Sequence, residues 1–249
     1  MGRQAVLISL GMQGAAARMQ TKHGRLVFNG NPVRMSFLEE RKRDACCAIV
    51  GLRSDLKTVL ITGGSQGAKA LNDALAGCLS RLLDVEPHLQ IVHQCGDKNL
   101  NDLKEQLPPG LWESPRYHLR AYFDDLSMAY AICDLAVTRA GAMTVAELAV
   151  TGTPAIFVPY PYAAQDHQTH NARFMEAQKA AVVLPQGSLS AEALYEQIVS
   201  LLADDGRLLE MRKHMKEQAK PDAALSLARQ LKEISLSYMG ATLSAAATR

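Results

Sequence analysis

The sequence predicts an α/β fold, a parallel sheet with helices on both faces. Three observations carry that prediction. Apolar runs of strand length fall at residues 58–62, 89–94, 117–121, 135–138, 155–158 and 181–184. Stretches of helical spacing separate most of them, at 68–83, 98–106, 126–133, 143–150 and 167–179. Strands that alternate with helices argue for βαβ units and a parallel sheet. Finally, the chain passes from strand to helix through small residues after 62 and again after 138. Open α/β sheets bind their ligands at such strand carboxyl ends.

The flanks are less regular. Residues 1–57 are heterogeneous, with an apolar segment, then Leu26-Val-Phe-Asn-Gly-Asn-Pro-Val-Arg34, then the charged run Glu39-Glu-Arg-Lys-Arg-Asp44, which reads as a solvated helix face or linker. Beyond Ser190 only helical patterns remain, interrupted near Asp204-Asp-Gly206 and Lys220-Pro-Asp222, and the Ala-rich end is expected to fray. At 249 residues, 48% hydrophobic and 21% charged, the chain has ordinary globular composition and room for one or two domains. No apolar run reaches the roughly 18 residues of a membrane span. A net charge of +2 with 5% aromatics makes a poor nucleic-acid binder, so an anionic ligand needs a local device. Five cysteines without a CxxC pair argue against a disulfide framework and for a reducing compartment. The first apolar stretch is interrupted by Gly11 and Gln13, which disfavours an export signal.

Four loops carry candidate chemistry. In Thr58-Val-Leu-Ile-Thr-Gly-Gly-Ser-Gln-Gly-Ala68, the residues Gly63, Gly64 and Gly67 let the backbone bring N–H groups against an anion, and the helix N-terminus adds positive potential. Ser65 adds a hydroxyl. A tight turn capped by Ser65 is the alternative, but it seldom needs three glycines. The spacing is not the dinucleotide fingerprint, and no acid ends the next strand, Ile91-Val-His-Gln94. In Val137-Thr-Arg-Ala-Gly-Ala-Met-Thr-Val-Ala-Glu147, Thr144 and Glu147 fit a capping box; Glu147 equally suits a vicinal diol. Spacing leaves both open.

In the stretch from Val158 to Asn171, Asp166, His167 and His170 suggest a metal, though two histidines at i, i+3 with one acid are weak ground. Gln165, Gln168 and Asn171 suit sugar hydroxyls at least as well. Tyr122-Phe-Asp-Asp-Leu126 reads first as a core edge with an N-cap at Asp124, and second as a wall or backbone edge for a flat base.

Taken in order, Asn31-Pro-Val-Arg34, Gly63-Gly-Ser-Gln-Gly-Ala68, Tyr122-Phe-Asp-Asp125, Arg139-Ala-Gly-Ala-Met-Thr-Val-Ala-Glu147 and the stretch from Pro159-Tyr-Pro to Asp166-His-Gln-Thr-His-Asn-Ala172 resemble the MurG-type family over residues 24–235. These are bacterial glycosyltransferases that move GlcNAc, with inversion, from UDP-GlcNAc to a lipid-linked muramyl peptide, converting lipid I to lipid II. The resemblance implies a GT-B enzyme of two Rossmann-like domains, this chain being the C-terminal, donor-binding one. It implies residues 1–56 as the end of the acceptor domain plus a linker, 57–236 as the UDP-sugar domain and 237–249 as a frayed tail. It assigns Arg34 and Ser65 to the diphosphate and Phe123 to uracil through its backbone. Ala142, Met143, Thr144, Val145, Ala146 and Glu147 would bring a helix N-terminus to the α-phosphate, with Glu147 on the ribose diol. Gln168 and His167 would read the sugar. No cofactor or metal is implied.

The sequence departs from that family in one respect. Its members carry a Gly-rich loop with a histidine, the usual candidate base, and no GGTGGH-like loop occurs here. The base is therefore expected in an acceptor domain outside this sequence, with His93 or His167 as fallbacks. A non-catalytic UDP-sugar-binding subunit of a split transferase, or a UDP-sugar epimerase of the same architecture, are the rival expectations. A cytoplasmic location, peripheral at the membrane, goes with the leading one.

Overall fold

The computed structural model describes residues 5–19, 21–22 and 24–247. Contacts divide the chain into two compact units, Arg34–Ala219 and a smaller one of Met1–Val33 with Lys220–Arg249. In the smaller unit β1 (Leu7–Leu10) pairs in parallel with β2 (Arg25–Phe28), residue Leu7 opposite Arg25. Its long helix runs Ala223–Ala247 and is bound to the strands by a reciprocal amide pair. Asn29 Nδ2 donates to Gln230 Oε1, and Gln230 Nε2 to Asn29 Oδ1, both at 2.9 Å.

This division differs from the boundaries expected at 57 and 236. Helical patterns occur on both sides of the break at Lys220-Pro-Asp222, as they do at Asp204-Asp-Gly206, so the break by itself does not mark a change of packing partner. Residues 237–247 are helical rather than a tail; residues 1–4 and 248–249 lie outside the described residues.

The larger unit opens with a 3₁₀ turn at Met35–Phe37 and α1 (Arg43–Val50). The charged run before α1 is not all solvated. Arg43 pairs with Asp134 at 3.0 Å and donates to the carbonyls of Leu56 and Ile132 at 2.6 Å each, fastening α1 beneath the sheet. Then follow β3 (Lys57–Thr62), α2 (Lys69–Val85), β4 (Leu89–Gln94), α3 (Leu100–Gln106), β5 (Tyr117–Arg120), α4 (Leu126–Ile132), β6 (Leu135–Thr138), α5 (Ala142–Thr151), β7 (Ala155–Phe157), α6 (His167–Ala177), β8 (Ala181–Val183), α7 (Ala191–Leu202) and α8 (Asp205–Glu217). All six strands are parallel, in the order β5-β4-β3-β6-β7-β8.

The central strands are buried on both faces, which is why apolar residues occupy adjacent positions in them instead of alternating with polar ones, as in Val59-Leu60-Ile61. Val59, Leu60 and Ile61 are fully buried. Val59 and Ile61 join a core with Leu71, Leu75 and Leu79 of α2 and Leu194 and Ile198 of α7. The opposite face carries α4 and α5. In the larger unit α4, α7 and α8 begin on side-chain caps. Asp125 accepts from Ser127 N–H at 2.9 Å, so the cap of α4 is Asp125 rather than Asp124; Ser190 caps α7 and Asp204 caps α8. Strand order reverses between β3 and β6, where Thr62 lies opposite Thr138. The crevice at that reversal is where such a sheet offers a binding site.

Candidate functional site

At the end of β3, Gly64 N–H donates to Thr62 Oγ1 at 3.1 Å and Gly67 N–H to the Gly64 carbonyl at 3.0 Å. Gly64 and Gly67 have φ of +85° and +72°. A Cβ on Gly67 would run into the Cys95 carbonyl at the end of β4, and one on Gly63 into Ala68. Two of the three glycines are thus demanded by the packing of the turn itself. What the turn leaves exposed is what suits an anion: Ala68 is the N-cap of α2, and no side chain caps the helix's first N–H groups.

The second junction repeats that arrangement. Gly141 is the N-cap of α5, again without a side-chain cap. Thr144 lies a turn inside, so the capping box with Glu147 does not form. The two uncapped N-termini border a cavity of about 540 Å³ whose wall includes Gly63, Gly64, Gly67, Arg139, Thr144 and Gln168. That volume falls in the usual range for small-molecule sites. Each N-terminus carries roughly half a positive charge.

The third loop supplies the far wall. Tyr160 N–H donates to Gln168 Oε1 at 3.0 Å, and Asn171 Nδ2 to the Ala140 carbonyl at 3.0 Å, which holds α6 against the second junction. Asn171 is thereby used by the fold. Gln165 and Asp166 both adopt left-handed backbone, φ 54° and 53°, immediately before α6. Non-glycine residues pay for that conformation, and such strain gathers at functional sites. His167 is exposed, its Nδ1 2.7 Å from the Ala164 carbonyl. Asp166, His167 and His170 do not make a metal site: among the described residues no group of three or more His, Cys, Asp or Glu is so placed.

The remaining candidates lie beside this cavity rather than in its wall. Glu147 is half-buried; burial pushes its carboxyl pKa up, and the nearby Arg34 guanidinium pulls it down. Arg34 itself lies 5.5 Å over the Phe37 ring, which packs edge-on against Tyr130. The structure therefore puts Arg34 with Glu147, whereas the sequence assigned it to the diphosphate. Ser65 is exposed and not part of the cavity wall. Within α5, Met143 is exposed, Ala142 and Ala146 are half-buried, and Val145 is buried in the core, so Val145 offers only backbone. Phe123 N–H is taken by Gln94 Oε1 at 2.9 Å, while Gln94 Nε2 donates to the Gly64 carbonyl at 3.1 Å. This leaves the Phe123 carbonyl as its backbone handle.

His93 is a core residue. It is fully buried between Tyr117 Oη (2.7 Å) and Asn72 Oδ1 (3.0 Å), and burial lowers its pKa to about 3. Sequence reasoning missed Arg139, Tyr160 and Gln186 as parts of the wall. No local pattern singles out Arg139, since its partners Val158, Pro159 and Gln186 are distant in sequence.

The sequence matches the glycosyltransferase family 28 C-terminal domain over residues 58–227. The chain belongs to that family. The matched span runs from β3 into the start of the long C-terminal helix, so this family 28 domain includes both glycine junctions and the whole cavity wall. Relatives include the UDP-N-acetylglucosamine–N-acetylmuramyl-(pentapeptide) pyrophosphoryl-undecaprenol N-acetylglucosamine transferases of Salinibacter ruber (39% identical, covering 92% of this chain and 60% of the relative) and Halothermothrix orenii (38%, covering 82% and 55%). The crystal structure of Acinetobacter baumannii MurG superposes with a TM-score of 0.67 at 29% identity, covering 91% of this chain and 66% of that one. The chain thus spans about half the length of the curated relatives it matches. A UDP-N-acetylglucosamine 2-epimerase from Listeria monocytogenes shares the fold at a TM-score of 0.60 and 13% identity. Among the described residues no helix is long and apolar enough to cross a membrane.

Proposed function

We propose that this chain is the donor-holding half of an inverting N-acetylglucosaminyltransferase whose acceptor is a lipid-linked muramyl peptide. The observation that carries the reading is the convergence of two uncapped helix N-termini on one cavity at the sheet's reversal point. Such a site stabilises a diphosphate through backbone N–H groups aimed at its oxygens. The names of the relatives supply the sugar and the acceptor.

In this reading the diphosphate lies between Gly63–Gly67 and the first turn of α5, with Ser65 and Arg34 at its margin. Glu147 accepts from the ribose diol, the Phe123 carbonyl accepts from the uracil N3–H, and Gln168 with His167 reads the sugar hydroxyls. In the transfer step the acceptor oxygen bonds to the anomeric carbon. The bond from that carbon to the diphosphate breaks, its electron pair stays on the departing oxygen, and the helix N-termini stabilise the charge that develops there. No histidine or carboxylate lines the cavity among the described residues. The base that takes the acceptor's proton is accordingly assigned to the acceptor-binding part of the complete enzyme, working at the cytoplasmic face of the membrane.

Calorimetric titration of the purified chain with UDP-GlcNAc, UDP, ADP and GDP tests this reading. Selective uridine-nucleotide binding is expected, with most of the affinity residing in UDP. Equal binding of the three diphosphates, or none, would overturn it.

A further inference from the structure

Arg139 follows directly on β6 and is buried, with 9% of its surface exposed. Its Nη1 donates to the carbonyls of Val158 at 2.9 Å and Pro159 at 3.2 Å, and its Nη2 to Gln186 Oε1 at 2.7 Å. The guanidinium carbon lies 5.5 Å from the Tyr160 ring centre. All these partners are neutral, and among the described residues no carboxylate pairs with it.

Other partly buried arginines among the described residues are compensated, Arg41 by Glu39 at 2.9 Å for one. Arg43 has Asp134 at 3.0 Å. Arg116 also donates only to carbonyls, but two of them, Leu83 and Glu86, end α2, where the helix dipole supplies negative potential. Val158 and Pro159 lie in an extended segment leaving β7, which offers no such field. Burying an unpaired cation is expensive, and here burial lowers the Arg139 pKa.

Donor counting gives the charge a direction. A guanidinium has five N–H donors. Three are used, which leaves Nε and one Nη2 hydrogen without a partner among the described residues. Arg139 also borders the cavity beside Gly141, opposite the glycine turn. Neither group that the resemblance assigned to the phosphates is part of the wall: Arg34 acts on the Glu147 carboxyl, and Ser65 is exposed.

We propose that Arg139 is the cavity's own counter-charge for the diphosphate, binding phosphoryl oxygen through Nε and its remaining Nη2 hydrogen while Val158, Pro159 and Gln186 hold the fork in place. The proposal rests on the reading of the cavity as a nucleotide-sugar site and adds the residue that makes it selective for the phosphates. The helix N-termini then contribute partial charges and Arg139 a full charge that no carboxylate offsets, whereas the wall's other cation, Lys69, is paired with Asp73 at 3.0 Å.

The test is calorimetry on the full chain and on Arg139→Gln and Arg139→Lys, with UDP, inorganic pyrophosphate and uridine. Arg139→Gln should weaken UDP and pyrophosphate by about 10–100-fold and leave uridine within about twofold, whereas Arg139→Lys should recover part of the loss. A parallel fall for all three ligands, or no fall, would mean that Arg139 only holds the loop and would overturn the proposal. Should Arg139→Gln fail to fold, the unmodified chain decides by NMR. An arginine Nε–H resonance absent from Arg139→Lys should move with UDP and pyrophosphate but not with uridine. Its staying put would overturn the proposal equally. The function proposed above fails separately: pyrophosphate binding that depends on Arg139, without preference for uridine nucleotides, would sink that reading and leave this one standing.

Discussion

Replacing Glu147 by glutamine separates a ligand-reading carboxylate from a structural one. The carboxyl is half-buried, no described side chain hydrogen-bonds it, and burial raises its pKa. For an acid with a raised folded pKa, ionisation is harder in the folded state. Stability is therefore lost as pH rises from the unfolded pKa to the folded one, and is not regained above it. At neutral pH the ionised carboxylate is a liability to the fold, and the neutral isostere Glu147→Gln should melt no lower than the parent. Binding should move the other way. A hydrogen bond to a charged group contributes about 1.5–3 kcal/mol, so losing one from the ribose diol weakens UDP by about 10–150-fold. Titration with UDP and 2′-deoxy-UDP at neutral pH reads this directly: the parent should prefer UDP, and the variant should bind both alike. A variant that binds UDP normally but loses about 0.5–2 kcal/mol of stability would refute the reasoning, since that is how a lost helix cap behaves.

Binding of UDP-GlcNAc should persist in excess chelator, because the helix N-termini together with Arg139 meet the phosphate charge; a strict metal requirement would revive Asp166, His167 and His170. Gly67→Ala should destabilise the chain more than Gly64→Ala in urea titrations. Both have positive φ, worth about 1–2 kcal/mol for a side chain, but only Gly67 also meets the Cys95 carbonyl. Acidification should weaken the fold through His93: its pKa is about 3 folded against an ordinary 6.5, so between those values the unfolded chain binds the extra proton. Stability then falls with pH by up to about 1.4 kcal/mol per unit, and urea midpoints at successive pH values should lose this slope in His93→Gln. Finally, the chain alone should bind donor yet transfer no GlcNAc to a lipid I-type acceptor. Adding an acceptor domain should restore transfer, and turnover by the chain alone would refute the assignment of the base.

The strands were legible because a parallel sheet buries both faces of each one, so short segments rich in apolar residues at 89–94 and 135–138 stand out and match β4 and β6 to the residue, although Gln90, His93 and Gln94 are buried polar members of β4. The pairing of β1 with β2 was not, since each is only four residues long and its partner lies across an irregular stretch. Within the site, sequence located the two junctions but misjudged what they do locally. The helix of the second junction has its N-cap at Gly141, not Thr144, and two of the glycines counted toward an anion prove to be steric necessities of the turn. Arg139 escaped notice because its character depends on Val158, Pro159 and Gln186, which come from two later loops. No local spacing encodes the absence of a counter-ion.

Gln94 has a consequence of its own. One amide spans the Phe123 N–H and the Gly64 carbonyl, so the loop that would meet the base and the loop that would meet the phosphates share a rigid strut. Displacing either end strains the other. Substitutions at the two loops should therefore combine non-additively, and a nucleotide with the wrong base should be rejected partly by a shifted phosphate seat rather than by base contacts alone. The strut turns two neighbouring subsites into a single latch.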